Sequence, residues 1–205
     1  LFPRMTEKLM IASAYFASDD VIFAVREDSS TQGLNVGRER SAEQAKPGHD
    51  DNMEDDLQTA LEGILRLLNE GETLSAVVLI CPGPFSTIDK NDSLYGFIGR
   101  NAEVRNWRGK NARAMFRKLL IERLGEEGRK PIIYIYNQAG ATAVGEYMRL
   151  YGDRIRYADS PGRQVKKIGS HLFVVADTSI DAALITDGEP YHGLSTMNVG
   201  HHAAV

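Results

Sequence analysis

The sequence predicts an α/β fold with a mixed sheet flanked by helices, followed by the start of a second domain of similar build. Three observations carry this. Apolar strands alternate with amphipathic helices through the first 151 residues. The closing stretch, 172–202, runs strand, small polar turn, strand, tight hairpin. Each half also opens alike, with two strands joined by a short polar turn. The chain divides accordingly into a first domain over 5–151, a linker over 152–169 and the beginning of a second domain over 170–205.

The elements follow in order. Leu9 to Phe16 and Val21 to Val25 read as strands joined by Ala17-Ser18-Asp19-Asp20, and Gly33 to Gly37 as a third strand of a meander. The polar run from Glu39 to Asp51, with Pro47-Gly48, reads as an exposed loop. Asp50 or Asn52 can cap a helix whose first turn holds Glu54, Asp55 and Asp56, which suits the positive end of its dipole. Leu57, Leu61, Ile64, Leu65 and Leu68 are its apolar stripe, and Gly71 ends it. Leu74 to Cys81 is a continuous apolar strand of the kind buried on both faces, stopped by Pro82-Gly83-Pro84. A long irregular stretch, Phe85 to Arg108, carries Trp107. Asn111 to Leu124 is the next helix, with Met115, Phe116, Leu119, Leu120 and Leu124 inward. Pro131 to Tyr136 is another buried strand, and Asn137-Gln138-Ala139-Gly140 opens a helix through Tyr151. In the closing stretch, Leu172 to Ala176 and Ile180 to Ile185 are strands, and Asp187-Gly188 is a type I′ hairpin signal.

Composition bounds the function. The chain has 205 residues, 42% hydrophobic and 25% charged, with a formal charge of −4. That is ordinary for a soluble globular protein and argues against a nucleic-acid surface. No apolar run approaches the ~20 residues of a membrane span, so no membrane partner is expected. No basic-apolar-small leader opens the chain, so the expected home is cytoplasmic. The one cysteine, Cys81, rules out an internal disulfide and a Cys-cluster zinc site drawn from this chain alone; it reads as a small buried hydrophobe at a strand end.

A strand-turn-strand unit can hold a phosphate on backbone N–H groups in its turn. Here the later turn carries Asp177 and Asp181, whose charges repel a phosphate. The residues with chemistry to offer each admit two readings. Asn137 and Gln138 are a helix cap with a polar first-turn residue, or a polar ligand contact. Asp19 and Asp20 are a solvated turn or a cation site, as are Asp177 and Asp181. His201-His202 are an exposed segment, a ligand contact or a metal ligand. Trp107 is a packing anchor at a helix entrance or a stacking surface for a ligand ring. Glu146 is a solvated helix residue or a weak ligand contact.

Together, five segments resemble the ROK family of sugar kinases and repressors, within the actin–hexokinase–Hsp70 fold class, whose domains are of actin-like ATPase (ribonuclease H-like) type. Leu74 to Pro84 is similar to that family's strand ending in a Pro-Gly turn. Trp107-Arg108-Gly109-Lys110-Asn111 is similar to its W-x-G-x-N segment, and Ile133 to Glu146 to its strand followed by N-D-A-N-A-A-A-x-G-E. Asp177 to Gly188 aligns on G-T-G-I-G-A-G-I-I-x-D-G, keeping Thr178, Ile180, Ala182, Ile185, Asp187 and Gly188. Tyr191-His192-Gly193 and Gly200-His201 fit the closing Y-x-G and G-E-x-G-H.

The resemblance implies a sugar cleft near Gly83, Asn111, Asn137, Gln138, Asn198 and His201, and phosphate-loop positions at Ala17, Ser18, Asp19, Asp177, Thr178 and Ser179. The departures fall on the chemistry. The family's first loop, D-x-G-G-T-K, is replaced by Tyr15, Ala17, Ser18, Asp19 and Asp20, which keep neither the magnesium-holding acid nor the glycines. The second loop has Asp177, Ser179, Asp181 and Ala183 in place of glycines, and the sugar-binding Glu is Asn198. Gln138 stands at the general-base position; an amide can hydrogen-bond a sugar hydroxyl but cannot take its proton. Loss of the base alone costs on the order of 10²–10⁴ in rate. The family's zinc site, which His201 would enter, lacks its cysteines within these residues, and no metal is assigned.

The expectation is therefore a sugar-kinase-like protein that has lost phosphoryl transfer and binds a sugar or small polar ligand, with a homodimer implied by the family. The alternative is an ATP- and Mg²⁺-dependent hexose kinase, of fructokinase or glucokinase type, with divergent phosphate loops. A third class is an interaction protein that keeps the fold for dimerisation. No helix-turn-helix precedes the first strand, so no DNA-reading part is expected.

Overall fold

The computed structural model describes residues 8–16, 21–31, 34–45, 52–86, 92–100, 102, 104–156, 169–176, 180–186 and 189–191. Three strands open the chain: β1 (Lys8–Phe16), β2 (Val21–Thr31) and β3 (Leu34–Ala45). Then follow α1 (Met53–Leu67), β4 (Leu74–Ile80), α2 (Ala112–Leu124), β5 (Ile132–Tyr136) and α3 (Gln138–Arg156). A second group closes the described chain: β6 (His171–Ala176), β7 (Ile180–Thr186) and β8 (Glu189–Tyr191). The first sheet is ordered β3-β2-β1-β4-β5, and the second β6-β7-β8. β1, β2 and β3 form an antiparallel meander, while β4 runs parallel to β1 and β5 parallel to β4. This is the mixed α/β sheet expected.

The expected loop at Glu39 is corrected here. β3 begins at Leu34 and stays paired to β2 up to Val21↔Ala45. A polar sequence can be a strand there because β3 is the outer strand of its sheet, where backbone pairing on one side suffices and burial is not required.

Burial on both faces of β4 and β5 is also corrected. Side chains alternate: Ala12, Ala14, Val77, Leu79, Ile133 and Ile135 are buried on one face. On the other face Val78, Ile80, Tyr134 and Tyr136 are half-buried and Ile132 is exposed. α1 and α2 cover the first face through Leu57, Leu61, Ile64, Phe116 and Leu120. α3 instead packs on the second sheet, with Ala143 and Tyr147 against Ile185. It runs to Arg156, five residues beyond the expected end and into the segment read as a linker. No helix among the described residues is long and apolar enough to cross a membrane.

Local chemistry sets the helix starts. Asn52 caps α1, its side chain accepting from the Glu54 N–H at 3.4 Å. Asn111 caps α2, accepting from Ala114 N at 2.9 Å. Asn137 precedes α3 and accepts from Gly140 N at 2.9 Å. Gly71, at φ 82, sits in the turn that leaves α1.

Candidate functional site

Three parallel strands end at one edge of the first sheet: β1 at Phe16, β4 at Ile80 and β5 at Tyr136. The Cys81 N–H donates to the Tyr136 carbonyl at 2.8 Å and carries the β4–β5 pairing to that edge. Crevices outside the carboxyl ends of parallel strands are where open α/β sheets take ligands. Gly83 lies just past β4, and Asn137 and Gln138 just past β5. Asn111 is tied to the same end through the irregular stretch. Phe85 bridges Ile98, Phe97 bridges Asn111, and Gly99 N donates to the Pro84 carbonyl at 2.7 Å. The structure thus gathers Gly83, Asn111, Asn137 and Gln138 at one edge. Asn198 and His201 lie outside the described residues.

The phosphate-loop positions Ala17, Ser18, Asp19, Asp177, Thr178 and Ser179 also lie outside them. Their flanks are defined. Phe16 pairs with Val21, and Ala176 with Ile180, so both strand-turn-strand units are closed antiparallel hairpins. The Asp187-Gly188 turn lies outside as well, but Thr186 pairs with Glu189 across it.

Much of the polar chemistry at the edge is already engaged. The side-chain oxygens of Asn111 and Asn137 are held by helix N–H groups. The Asn111 Nδ2 donates to the Tyr95 carbonyl at 3.2 Å. Tyr95 is buried, and its hydroxyl accepts from the Ile135 N–H at 2.9 Å, on the side of β5 away from β4. Burial holds its phenol above the ordinary range. Gln138, the first residue of α3, is half-buried. Trp107 is a packing anchor. It is buried, its Nε1 donates to Asp56 Oδ2 at 3.1 Å, and its ring centroid is 5.0 Å from that of Phe16. Glu146 pairs with Arg149 Nη2 at 2.7 Å. Cys81 is buried as expected, and burial raises its thiol far above the ordinary value. No cluster of three or more metal-ligating side chains occurs among the described residues. A cavity of about 440 Å³ lies at the opposite edge of the sheet, between Leu65, Leu68, Leu74, Leu124 and Pro131, with Glu70, Glu72 and Glu127 at its rim.

Sequence reasoning missed Tyr95 and Arg113. The Arg113 guanidinium carbon stands 5.1 Å from the Tyr95 ring centroid. The one signal for it was the concentration of basic residues between 100 and 118.

No protein-family model matches the sequence, and no curated protein matches it. Solved structures do. A ROK family glucokinase from Streptomyces griseus, determined with glucose and AMPPNP, superposes with a TM-score of 0.55 at 16% identity, over 93% of this chain and 49% of that one. A ROK family transcriptional regulator, a homologue of the E. coli MLC protein, gives 0.59 at 13%, over 94% and 40%. A glucokinase from an Antarctic psychrotroph gives 0.52 at 12%, over 96% and 52%. The chain spans about half the length of these proteins. At such identities the likeness shows the fold: the chain has the actin-like ATPase fold of ROK kinases and of a ROK regulator.

Proposed function

We propose that the chain is a ROK-like module that binds a small sugar or polar ligand at the carboxyl edge of β4 and β5 and has lost phosphoryl transfer. The observation that carries this is Gln138. It opens α3 directly beyond the end of β5, and it offers an amide where a hydroxyl nucleophile needs a base. An amide donates and accepts hydrogen bonds but holds no proton-accepting group of useful basicity. The site keeps polar recognition in Asn111, Asn137 and Gln138 on a rigid strand-and-helix frame. It would orient a hydroxylated ligand without activating it.

ATP and Mg²⁺ belong to the kinase alternative. The loop residues that would meet them are Ala17, Ser18 and Asp19, and Asp177, Thr178 and Ser179. Their added carboxylates fit a phosphate chain poorly, because like charges repel. Ligand binding and homodimer formation are read as one module's two functions.

Two measurements test this. Titration calorimetry with glucose, fructose, N-acetylglucosamine and N-acetylmannosamine is expected to give saturable heat with at least one. A coupled ADP-release assay with the same sugars, ATP and Mg²⁺ is expected to stay at the blank. Turnover there establishes the kinase instead, and absence of heat with every sugar leaves dimerisation alone, to be read by ultracentrifugation.

A further inference from the structure

The stretch that leads into and along α2 from this edge is strongly basic, and sugar binding by the asparagines makes no use of it. Residues 100–118 hold seven Lys and Arg against one Glu, a net +6 inside a chain of −4. Part of this charge does structural work. Arg108 Nε donates to the Ala102 carbonyl. Arg117 donates to the carbonyls of Gly128, Arg129 and Pro131. Lys118 lies 3.8 Å from Glu54 and 3.7 Å from Glu122.

Arg113 is different. Its Nε is buried and has no hydrogen-bond partner among the described residues. The buried Nε is closed to a ligand from solvent, so the terminal Nη donors of this half-buried side chain are the ones that could meet one. The side chain is held in place. Its guanidinium lies over the Tyr95 ring, and Tyr95 is fixed at both ends, by Asn111 through its carbonyl and by Ile135 through its hydroxyl. Gly96, at φ +87, lets the backbone pass close under Arg113; a Cβ there would stand 2.6 Å from the Arg113 Cβ. Ile135 is two residues before Asn137, so the Tyr95 ring spans from the start of α2 to the end of β5. A guanidinium over an aromatic face keeps its terminal Nη donors turned away from the ring, and those donors match planar or tetrahedral oxyanions.

We propose that Arg113, on its Tyr95 platform, is an oxyanion subsite beside the sugar cleft, so that the ligand is a negatively charged polyol, a sugar phosphate or a sugar acid. The sugar part of this rests on the function proposed above; the oxyanion part does not. Calorimetry on the whole chain with glucose, glucose 6-phosphate, glucuronate and inorganic phosphate separates the two. One of the charged sugars is expected to bind about tenfold or more tighter than glucose, as one charge-assisted contact allows. If it is the phosphate ester, the ligand is a sugar phosphate; if it is glucuronate, a sugar acid. Arg113→Gln is expected to erase the advantage and leave glucose binding unchanged, and Arg113→Lys to restore it in part. On the wild-type chain, inorganic phosphate is expected to weaken the charged sugar's binding and not that of glucose, a readout independent of any variant's folding. Equal binding of glucose and both charged sugars overturns the oxyanion subsite and leaves the sugar cleft standing. An advantage that survives Arg113→Gln overturns the assignment to Arg113. Binding of inorganic phosphate that is lost in Arg113→Gln, with no glucose binding, keeps the subsite and removes the sugar reading. Binding of none of the four removes both.

Discussion

The Trp107 indole N–H donates to the Asp56 carboxylate at 3.1 Å, across 51 residues of sequence, in the buried contact between α1 and the turn ahead of α2. By position Asp56 is one of three acids in the first turn of α1, where a negative charge suits the helix dipole. Its neighbours Glu54 and Asp55 are more exposed, while Asp56 is turned inward. The bond fixes Trp107, and Trp107 in turn packs on Phe16, the last described residue before the first strand-turn-strand connection. Trp107→Phe keeps most of the apolar volume and removes the donor. It is expected to destabilise the chain by about 1–3 kcal/mol, the cost of losing a buried hydrogen bond to a charged group. Trp107→Ala, which also opens a cavity, is expected to cost roughly 3–5 kcal/mol. Urea denaturation followed by circular dichroism measures both; a Trp107→Phe variant as stable as wild type would show that only volume matters.

Cys81 gives a prediction in pH and in reactivity. It sits just past β4 and is buried, and burial disfavours its thiolate. Alkylation by iodoacetamide is therefore expected to be slow in the native chain and fast in urea. The linkage sign follows from the raised folded value. Above the ordinary thiol value of 9.0 the unfolded thiol loses its proton while the native one keeps it. The unfolded state then binds fewer protons, so stability falls as pH rises past about 9. Cys81→Ala is expected to show a shallower decline between pH 8.5 and roughly 10.5 than the wild type. Parallel declines would show that Cys81 contributes nothing to it.

The order of elements and the caps at Asn52 and Asn137 were legible because each rests on neighbours within a few residues: an apolar period, a side-chain oxygen before a helix, a turn between strands. Both strand-turn-strand units were legible for the same reason. The length of β3 was not, because an outer strand can be polar and gives no alternating pattern to read. The roles of Asp56 and Tyr95 were not, because their partners lie 51 and 40 residues away and only the folded chain joins them. Arg113 was hidden differently. Whole-chain charge averages a basic stretch into an acidic total, and the contact of Arg113 with the Tyr95 ring exists only in the folded chain.

Asn111 joins two jobs that substitution can separate. Its Oδ1 caps α2 and its Nδ2 holds the Tyr95 carbonyl. Asn111→Asp keeps the acceptor and loses the donor, and adds a negative charge at a helix start that welcomes it. Asn111→Ala loses both. The alanine variant is expected to be less stable than wild type by about 1–3 kcal/mol, summing a lost cap and a lost hydrogen bond. The aspartate variant is expected to lie between the two. Thermal melts order the three; an aspartate variant as unstable as the alanine one would remove the capping role.

Gly63 stands in the middle of α1, where propensity alone favours alanine by about 1 kcal/mol. Packing argues the other way. Gly63 is buried, and a Cβ there would fall inside the contact envelope of the Phe23 ring on β2. Phe23 is 1% exposed and sits among Ala14, Val21 and Val25 in the core, so its ring has no free space to move into. Overpacking a filled core costs roughly 1–3 kcal/mol. The two effects have opposite signs, and the larger one decides. Gly63→Ala is expected to be destabilising overall, and Gly63→Ala with Phe23→Leu, which clears the ring, to recover much of the loss. Urea midpoints of wild type, both single variants and the double variant form the cycle that measures the coupling. A single Gly63→Ala variant more stable than wild type would show that α1 moves off β2 at little cost, and that the close approach is a tolerance of the fold and not a requirement.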